Sequence, residues 1–380
     1  MFINFWYVAE ESKNVTKQPK GLRMLGQDFV LFRDSAGEVR CLSDVCVHRG
    51  GSLAAGKVSD DCVECRYHGW RYDGDGHCVE IPSLGTDGKI PVRAKVDSYP
   101  TMEKYDLVFA FLGNLPQDER PPISEIPEWG AEGWRSNFMR FEFNFDYKRS
   151  LENGVDLAHN EFTHSFQQFK NPDGTHFAIP EMELDYSDNG WGLGVRSTMP
   201  GANTGLRGKA GKDKPGPSKV YTGFHGVSSL RTFIHPTKWI KLHQYIYETP
   251  IDETHTRIFF HNFRSYLMDE KHDAQSIEEN RQVVLEDLAV LEPLRPAIAP
   301  QTAVKELLVP ADKPVAAYRE RLQEFEAKGW RINMQQVNQN RDKVAYAIPS
   351  PGRRETRNWV IDSVPLIAAQ SETSGKAARA

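Results

Sequence analysis

Between residues 5 and 115 the apolar positions fall in short runs. "FVLFRD", "EVRCLSD", "HCVEI" and "DLVFAFLG" are separated by "SAG", "DGDG" and "LGTDGK", clusters of residues that turn a chain. This pattern predicts a first domain made mainly of short strands. The opening "MFINFWYVAEESKN" has no basic start and its short apolar run meets two glutamates, so it reads as the beginning of a strand or helix and not as a targeting signal. "GNLPQDERPPISEIPEW" (113–129), rich in proline and charge, reads as a linker. Beyond residue 135 the periods mix. "RFEFNFDY" alternates as a strand does, and "KRSLENGVDLAHNEF" reads as a helix. Residues 239–263 form two alternating runs around "PIDET", a hairpin signature. A long amphipathic helix is predicted over 273–294, stopped by prolines, and another over 314–330. The tail "SETSGKAARA" is small and polar and is expected to be disordered. The expected domains are 1–120, 121–350 and a C-terminal extension at 351–380.

Composition adds little to this picture: 39% hydrophobic and 26% charged residues describe an ordinary globular chain. A net charge of −5 gives no reason to expect nucleic acid or an anionic membrane as partner. No apolar run approaches the roughly 20 residues that cross a bilayer, so the expectation is a cytoplasmic protein. Residues 200–219 are glycine-rich and basic, but they lack the spacing of a phosphate loop. They read as a loop between strands, with a lid over a substrate pocket as the alternative.

The cysteines change the picture. All five (Cys41, Cys46, Cys62, Cys65 and Cys78) lie in the first fifth of the chain, an odd and local set that points to a cysteine site in a reducing compartment, not to a disulfide scaffold. Cys46-x-His48 is followed, after sixteen residues, by Cys65-x-x-His68. A structural zinc site normally pairs cysteines on one segment and histidines on another. A [2Fe–2S] cluster held by two thiolates on one iron and two imidazoles on the other explains instead why each loop carries one residue of each kind. Gly50, Gly51 and Gly69 would let backbone approach such a cluster closely.

These two motifs resemble those of the Rieske iron–sulfur family over roughly residues 5–115. High-potential members carry an extra cysteine in each loop; the matching positions here are Gly51 and Tyr67, so the resemblance is to the lower-potential domains of oxygenases and their ferredoxins. Cys41, Cys62 and Cys78 are then most simply buried thiols.

A ferredoxin would end near residue 115, and "LENGVDLAHNEFTH" (151–164) is the candidate for what uses the electrons. Helical spacing puts Asp156 and His159 on one face, while His164, five residues on, lies about 140° away. Convergence of both histidines on one metal therefore requires an irregularity near 160–164. With a carboxylate they would form the facial triad of non-haem Fe(II) oxygenases. Asp287, flanked by Val283, Val284, Val290 and Leu291 at helical spacing, is a carboxylate on an apolar face, a costly placement without a partner; Glu286 looks more solvent-facing and is the substitute.

The stretch resembles the catalytic motif of the Rieske non-haem iron oxygenases, with Asn153, Asp156, His159 and His164 in register, and Asp287 on a looser match. The resemblance covers about residues 5–295. It implies an α+β chain: an N-terminal all-β Rieske [2Fe–2S] domain followed by a helix-grip catalytic domain, a curved antiparallel sheet around a long helix. It implies mononuclear Fe(II) on His159, His164 and Asp287, and O2 as co-substrate. Asp156 would bridge to His68 of a neighbouring subunit, which implies a homotrimer. Electrons would come from NAD(P)H through an external reductase or ferredoxin, since no flavin or nicotinamide fingerprint is present. The opening "NFWYVAEE" and the C-terminal extension resemble the vanillate O-demethylase and aromatic monooxygenase branch, so hydroxylation or oxidative O-demethylation of an aromatic or other cyclic small molecule is expected. Ring cis-dihydroxylation is the alternative, and a Rieske electron-transfer protein without catalysis is the rival from another class.

Overall fold

A computed structural model of the chain describes residues 1–165, 171, 173–180, 182–200 and 217–370. Two compact units are present: Met1–Pro121 with the chain from Glu324 onward, and Pro122–Gln323. Most of the 200–219 stretch and the last ten residues lie outside the described residues.

Up to Pro121 the first unit holds eleven short strands: β1 (Phe5–Glu11), β2 (Lys20–Met24), β3 (Gln27–Arg33), β4 (Val39–Ser43), β5 (Lys57–Ser59), β6 (Cys62–Glu64), β7 (Arg71–Tyr72), β8 (Cys78–Glu80), β9 (Ser98–Tyr99), β10 (Thr101–Lys104) and β11 (Leu107–Leu112). They form sheets of order β1-β11-β10, β2-β3-β4-β9 and β5-β6-β7-β8. Val30, Phe32 and Leu42 from the second sheet pack with Val63 and Tyr72 from the third, and this core includes both Cys46 and Cys65. The chain from Glu324 onward is held by polar clasps: Arg353 donates to both oxygens of buried Asp97 at 2.7 Å, and Tyr99 donates to the Ile348 carbonyl at 2.7 Å. Nothing in local sequence period signals such a long-range return.

The second unit is a seven-stranded antiparallel sheet with a few helices. In chain order its elements include β12 (Arg135–Phe143), helix α1 (Tyr147–Val155), the short helix α2 (Asn160–Thr163), β13 (Leu184–Ser187), β14 (Gly192–Met199), β15 (Ser218–His225), β16 (Ser229–His235), β17 (Leu242–Pro250), β18 (Thr256–Arg264) and the nineteen-residue α3 (Asp273–Leu291). The strand order is β12-β18-β17-β16-β15-β14-β13. β17 and β18 are the hairpin expected at 239–263, closing at Pro250 opposite Thr256.

Period-two alternation gives this sheet two distinct faces. One receives the helices: Thr222 donates to the Gly154 carbonyl of α1 at 2.5 Å, and Gln244 donates to Asn280 of α3 at 2.9 Å. Along this face runs a row of directly opposed polar residues, Asn137, Asn262, Gln244, Thr232 and Thr222, one per strand from β12 to β15. Apolar clusters flank it, Val195, Val220 and Leu242 among one set, Met139, Phe260 and Leu291 among the other. The opposite face is covered by the stretch read above as a linker. Ser124, Ile126 and Glu128 are buried there, and Glu128 accepts from His243 at 2.6 Å and from Tyr245 at 2.7 Å. Proline and charge mark this segment as irregular, but here the charge pays no penalty because it is partnered.

Helix α1 is fixed by ion pairing. Buried Glu152 receives both Nε and Nη2 of buried Arg319, at 2.7 and 2.8 Å. Removing one member of such a pair strands the other without water. Arg319→Ala is therefore expected to cost about 3 kcal/mol or more of unfolding free energy, measured by urea denaturation; a loss below about 1 kcal/mol would contradict this role.

Candidate redox and metal centres

Two loops of one design leave the core of the first unit. In each, the cysteine carbonyl accepts from a glycine four residues on: Gly50 to Cys46 and Gly69 to Cys65, both at 2.9 Å. Both glycines have positive φ, 72° and 71°, where a side chain would be strained. The cysteines are buried, whereas His48 and His68 stand exposed at the tips with ring centroids 4.3 Å apart. Trp70 stacks on His48 at 4.6 Å and 4°. A Cβ on Gly51 would meet Cys65 Sγ at 3.1 Å, so the first loop lies directly against the second.

The electrostatics fit a cationic group between these loops. Burial pushes the Cys46 thiol up; the Tyr72 hydroxyl, 3.1 Å from its sulfur, works against this, and the neighbouring Cys65 adds to it. The buried Cys46 thiol resists becoming a thiolate unless a metal group compensates the charge. Two sulfurs inside and two imidazoles at the rim suit the [2Fe–2S] donor set. Cys41, Cys62 and Cys78 are also buried and free, and burial pushes Cys78 up to about 11.

The second unit assembles a different cluster. His159 Nε2, His164 Nε2 and Asp287 Oδ1 form a triangle with edges of 3.3, 3.4 and 3.6 Å. A point about 2 Å from all three atoms lies within it, the length of a metal–imidazole bond. Among the described residues this is the group of three or more His, Cys, Asp and Glu whose donors converge in this way. Loss of hydration pushes the Asp287 carboxyl above the usual range, against the pull of His164, His159 and the Asn153 amide. Burial lowers His164, while at His159 the lowering by burial is outweighed by Asp156 and Asp287.

The local fold explains the convergence. The segment read as one helix over 148–162 is two. α1 ends at Val155, Asp156 is extended (φ −80°, ψ 122°), and α2 begins at Asn160. The break thus precedes both histidines, and a second change of direction follows at His164 (φ −98°, ψ 122°). The expected sharing of a helical face by Asp156 and His159 does not arise, because Asp156 is not helical; its Oδ2 lies 3.5 Å from His159 Nδ1. Asn153, on α1, donates to Asp287 Oδ1 at 2.8 Å and ties the two helices together. α1 can lie this low because a Cβ on Gly154 would strike Leu230 at 2.2 Å.

Glu286 departs from its solvent-facing expectation. It is half-buried, and it accepts from His164 Nδ1 at 3.2 Å and from Ser165 Oγ at 2.6 Å. It orients the imidazole through the nitrogen that the triangle leaves free. One helical step from Asp287, it had no signal in period alone.

Comparison with known proteins agrees with this geometry. Residues 5–100 match the Rieske [2Fe-2S] domain and residues 143–328 the vanillate O-demethylase oxygenase C-terminal domain. The chain therefore carries a Rieske [2Fe-2S] domain followed by a domain of the vanillate O-demethylase oxygenase C-terminal type. A cholesterol 7-desaturase of Ciona intestinalis is 38% identical over 169 residues, 43% of this chain and 35% of the relative. The 5,5'-dehydrodivanillate O-demethylase oxygenase subunit of a Sphingobium species is 29% identical over 168 residues, 42% of this chain and 38% of the relative. The chain spans between 24% and 44% of the length of the curated relatives it matches. The structure of dicamba monooxygenase bound to 3,6-dichlorosalicylic acid shares the fold, with a TM-score of 0.70 at 23% identity over 85% of this chain and 96% of the other. Among the described residues no helix is long and apolar enough to cross a membrane.

Glu286→Ala leaves the triangle intact but removes the acceptor of His164. Its Fe(II) affinity, titrated on protein stripped of mononuclear metal, is expected to fall 10- to 100-fold; unchanged affinity would show that Glu286 does not orient His164.

Proposed function

We propose that this chain is the terminal component of a two-centre oxygenase that hydroxylates, or oxidatively O-demethylates, an aromatic or other cyclic small molecule. The single observation that carries this reading is the His159–His164–Asp287 triangle in a chain that also carries the paired Cys–His loops. In this reading Cys46 and Cys65 would hold one iron of a [2Fe–2S] cluster and His48 and His68 the other, while His159, His164 and Asp287 would hold a mononuclear Fe(II). Bound there, the two groups would supply single-electron transfer and O2 activation beside the substrate.

The chain's own residues do the rest. Asn153 fixes the Asp287 oxygen that faces the histidines, so one donor atom of the carboxylate is presented to the metal. Glu286 holds His164 in the tautomer that leaves Nε2 free. Burial of Leu157 and of the apolar sheet residues beside it keeps bulk water from that side of the site. Asp156 accepts from the Ala158 amide at 2.7 Å, which sets its orientation, and its Oδ2 stands 3.5 Å from His159 Nδ1. That oxygen would receive the ring N–H of His68 from another copy of the chain, in a homotrimer. The exposure of His48 and His68 supports this reading. An external reductase or ferredoxin would deliver NAD(P)H-derived electrons to the same exposed edge. Five unpaired cysteines favour a reducing, cytoplasmic setting.

The test is product mass in ¹⁸O2 with a surrogate reductase and a panel of aromatic acids and aryl methyl ethers. One labelled oxygen, or loss of CH2 with formaldehyde release, is expected; two labelled oxygens and two added hydrogens would make the enzyme a ring dihydroxylase. In the same assay Asp156→Asn should keep both metal centres loaded yet form no product, and retained turnover would remove the bridge.

A further inference from the structure

The polar row across the helix-bearing face of the sheet contains an unmet demand. Asn262, the second of the row and on β18, has a relative exposure of 0%, and neither Oδ1 nor Nδ2 of its amide has a hydrogen-bond partner. Both neighbours in the row are engaged with α3: Asn137 donates to Ser276 Oγ at 2.9 Å and Gln244 to Asn280 Oδ1 at 2.9 Å. Asn262 is bracketed by them and joined to neither. Asn137 Oδ1 is likewise buried without a partner. Buried side-chain amides are almost always satisfied, because an unpaired one keeps the full penalty of its lost hydration. Asn262 could have been an apolar residue, like Phe260 two positions away on the same face.

Its place indicates what satisfies it. Asn280, which receives Gln244, precedes Asp287 on α3 by seven residues, two turns or about 10 Å. Asn262 is paired with Gln244 across one strand, so this helical rise sets it on the order of 10 Å from Asp287, a span that a substituted ring can bridge. Resting on the oxygenase reading above, we infer that Asn262 recognises the substrate end remote from the reacting carbon, and that this end carries an uncharged group offering both a donor and an acceptor, a hydroxyl or a carboxamide. The amide presents one acceptor and one donor side by side, and Asn137 Oδ1 adds a second acceptor. An ionised carboxylate would leave both acceptors unmet. The competing anion site is Arg264, two residues along β18, whose Nη1 is also unpartnered; its guanidinium already donates to Asp273 at 2.6 Å, and Arg135 shares that carboxylate.

Calorimetric titration of the iron-loaded protein, which needs no turnover, tests this with 4-methoxyphenol, 4-methoxybenzamide, 1,4-dimethoxybenzene and 4-methoxybenzoate and their 3-substituted isomers. The phenol or the benzamide is expected to bind at least five-fold more tightly than the diether and the benzoate of the same pattern. Asn262→Leu and Asn262→Ala, checked for folding by the cluster absorption, should abolish that preference while changing diether affinity less than two-fold. Absence of the preference, a stronger benzoate, or a preference that survives both substitutions overturns the inference. The oxygenase reading fails separately: no ring compound, bound or not, then acquires ¹⁸O.

Discussion

Two imidazole nitrogens and a carboxylate oxygen lie within 3.6 Å of one another in the second unit, and that convergence is the constraint on which the remaining architecture depends. Without a cation it is unfavourable, since two ring lone pairs and a desolvated carboxylate face one space. The fold holds it from every side. Arg319 fixes α1 through Glu152, Gly154 lets α1 sit on the sheet, Asn153 reaches from α1 to Asp287 on α3, and Glu286 turns His164. Each of these contacts is long-range, so the metal site is a product of the whole unit and not of one motif.

The loops of the first unit solve a related problem by local means. Each uses a cysteine, a three-residue turn and a left-handed glycine, and the hydrogen bond from that glycine closes the turn. The cysteines face the core and the histidines face outward. With the proposed cluster bound, an electron would enter or leave at the imidazole edge while the thiolates stay dry. The same division of buried and exposed side chains would let one redox group be both protected and accessible.

Much of this was legible in the sequence. The paired Cys–His spacing, the β-rich first hundred residues, the hairpin at 239–263 and the long helix carrying Asp287 are local patterns, and local patterns survive translation into structure. What was not legible depends on tertiary partners. The 113–129 stretch looked like a linker because proline and charge dominate it, yet Glu128 is buried against His243 and Tyr245. The 148–162 helix looked continuous because its residues tolerate helix, but Asp156 is extended and the histidines cap the two ends of a separate short helix. Glu286 looked solvent-facing from period alone, and only the fold of 160–165 gives it His164 and Ser165. The return of the chain after Glu324 to the first unit likewise rests on single polar clasps such as Arg353 with Asp97.

The central claim is that one chain holds both a two-iron cluster and a separate mononuclear iron. Iron and acid-labile sulfide, quantified together on anaerobically purified protein, test it most directly. The account predicts about three irons and about two sulfides per chain, with roughly one iron lost selectively in His164→Ala while the red-brown cluster absorption persists. About two irons and two sulfides in the parent chain, unchanged by that substitution and by added Fe(II), would contradict it and leave an electron-transfer protein.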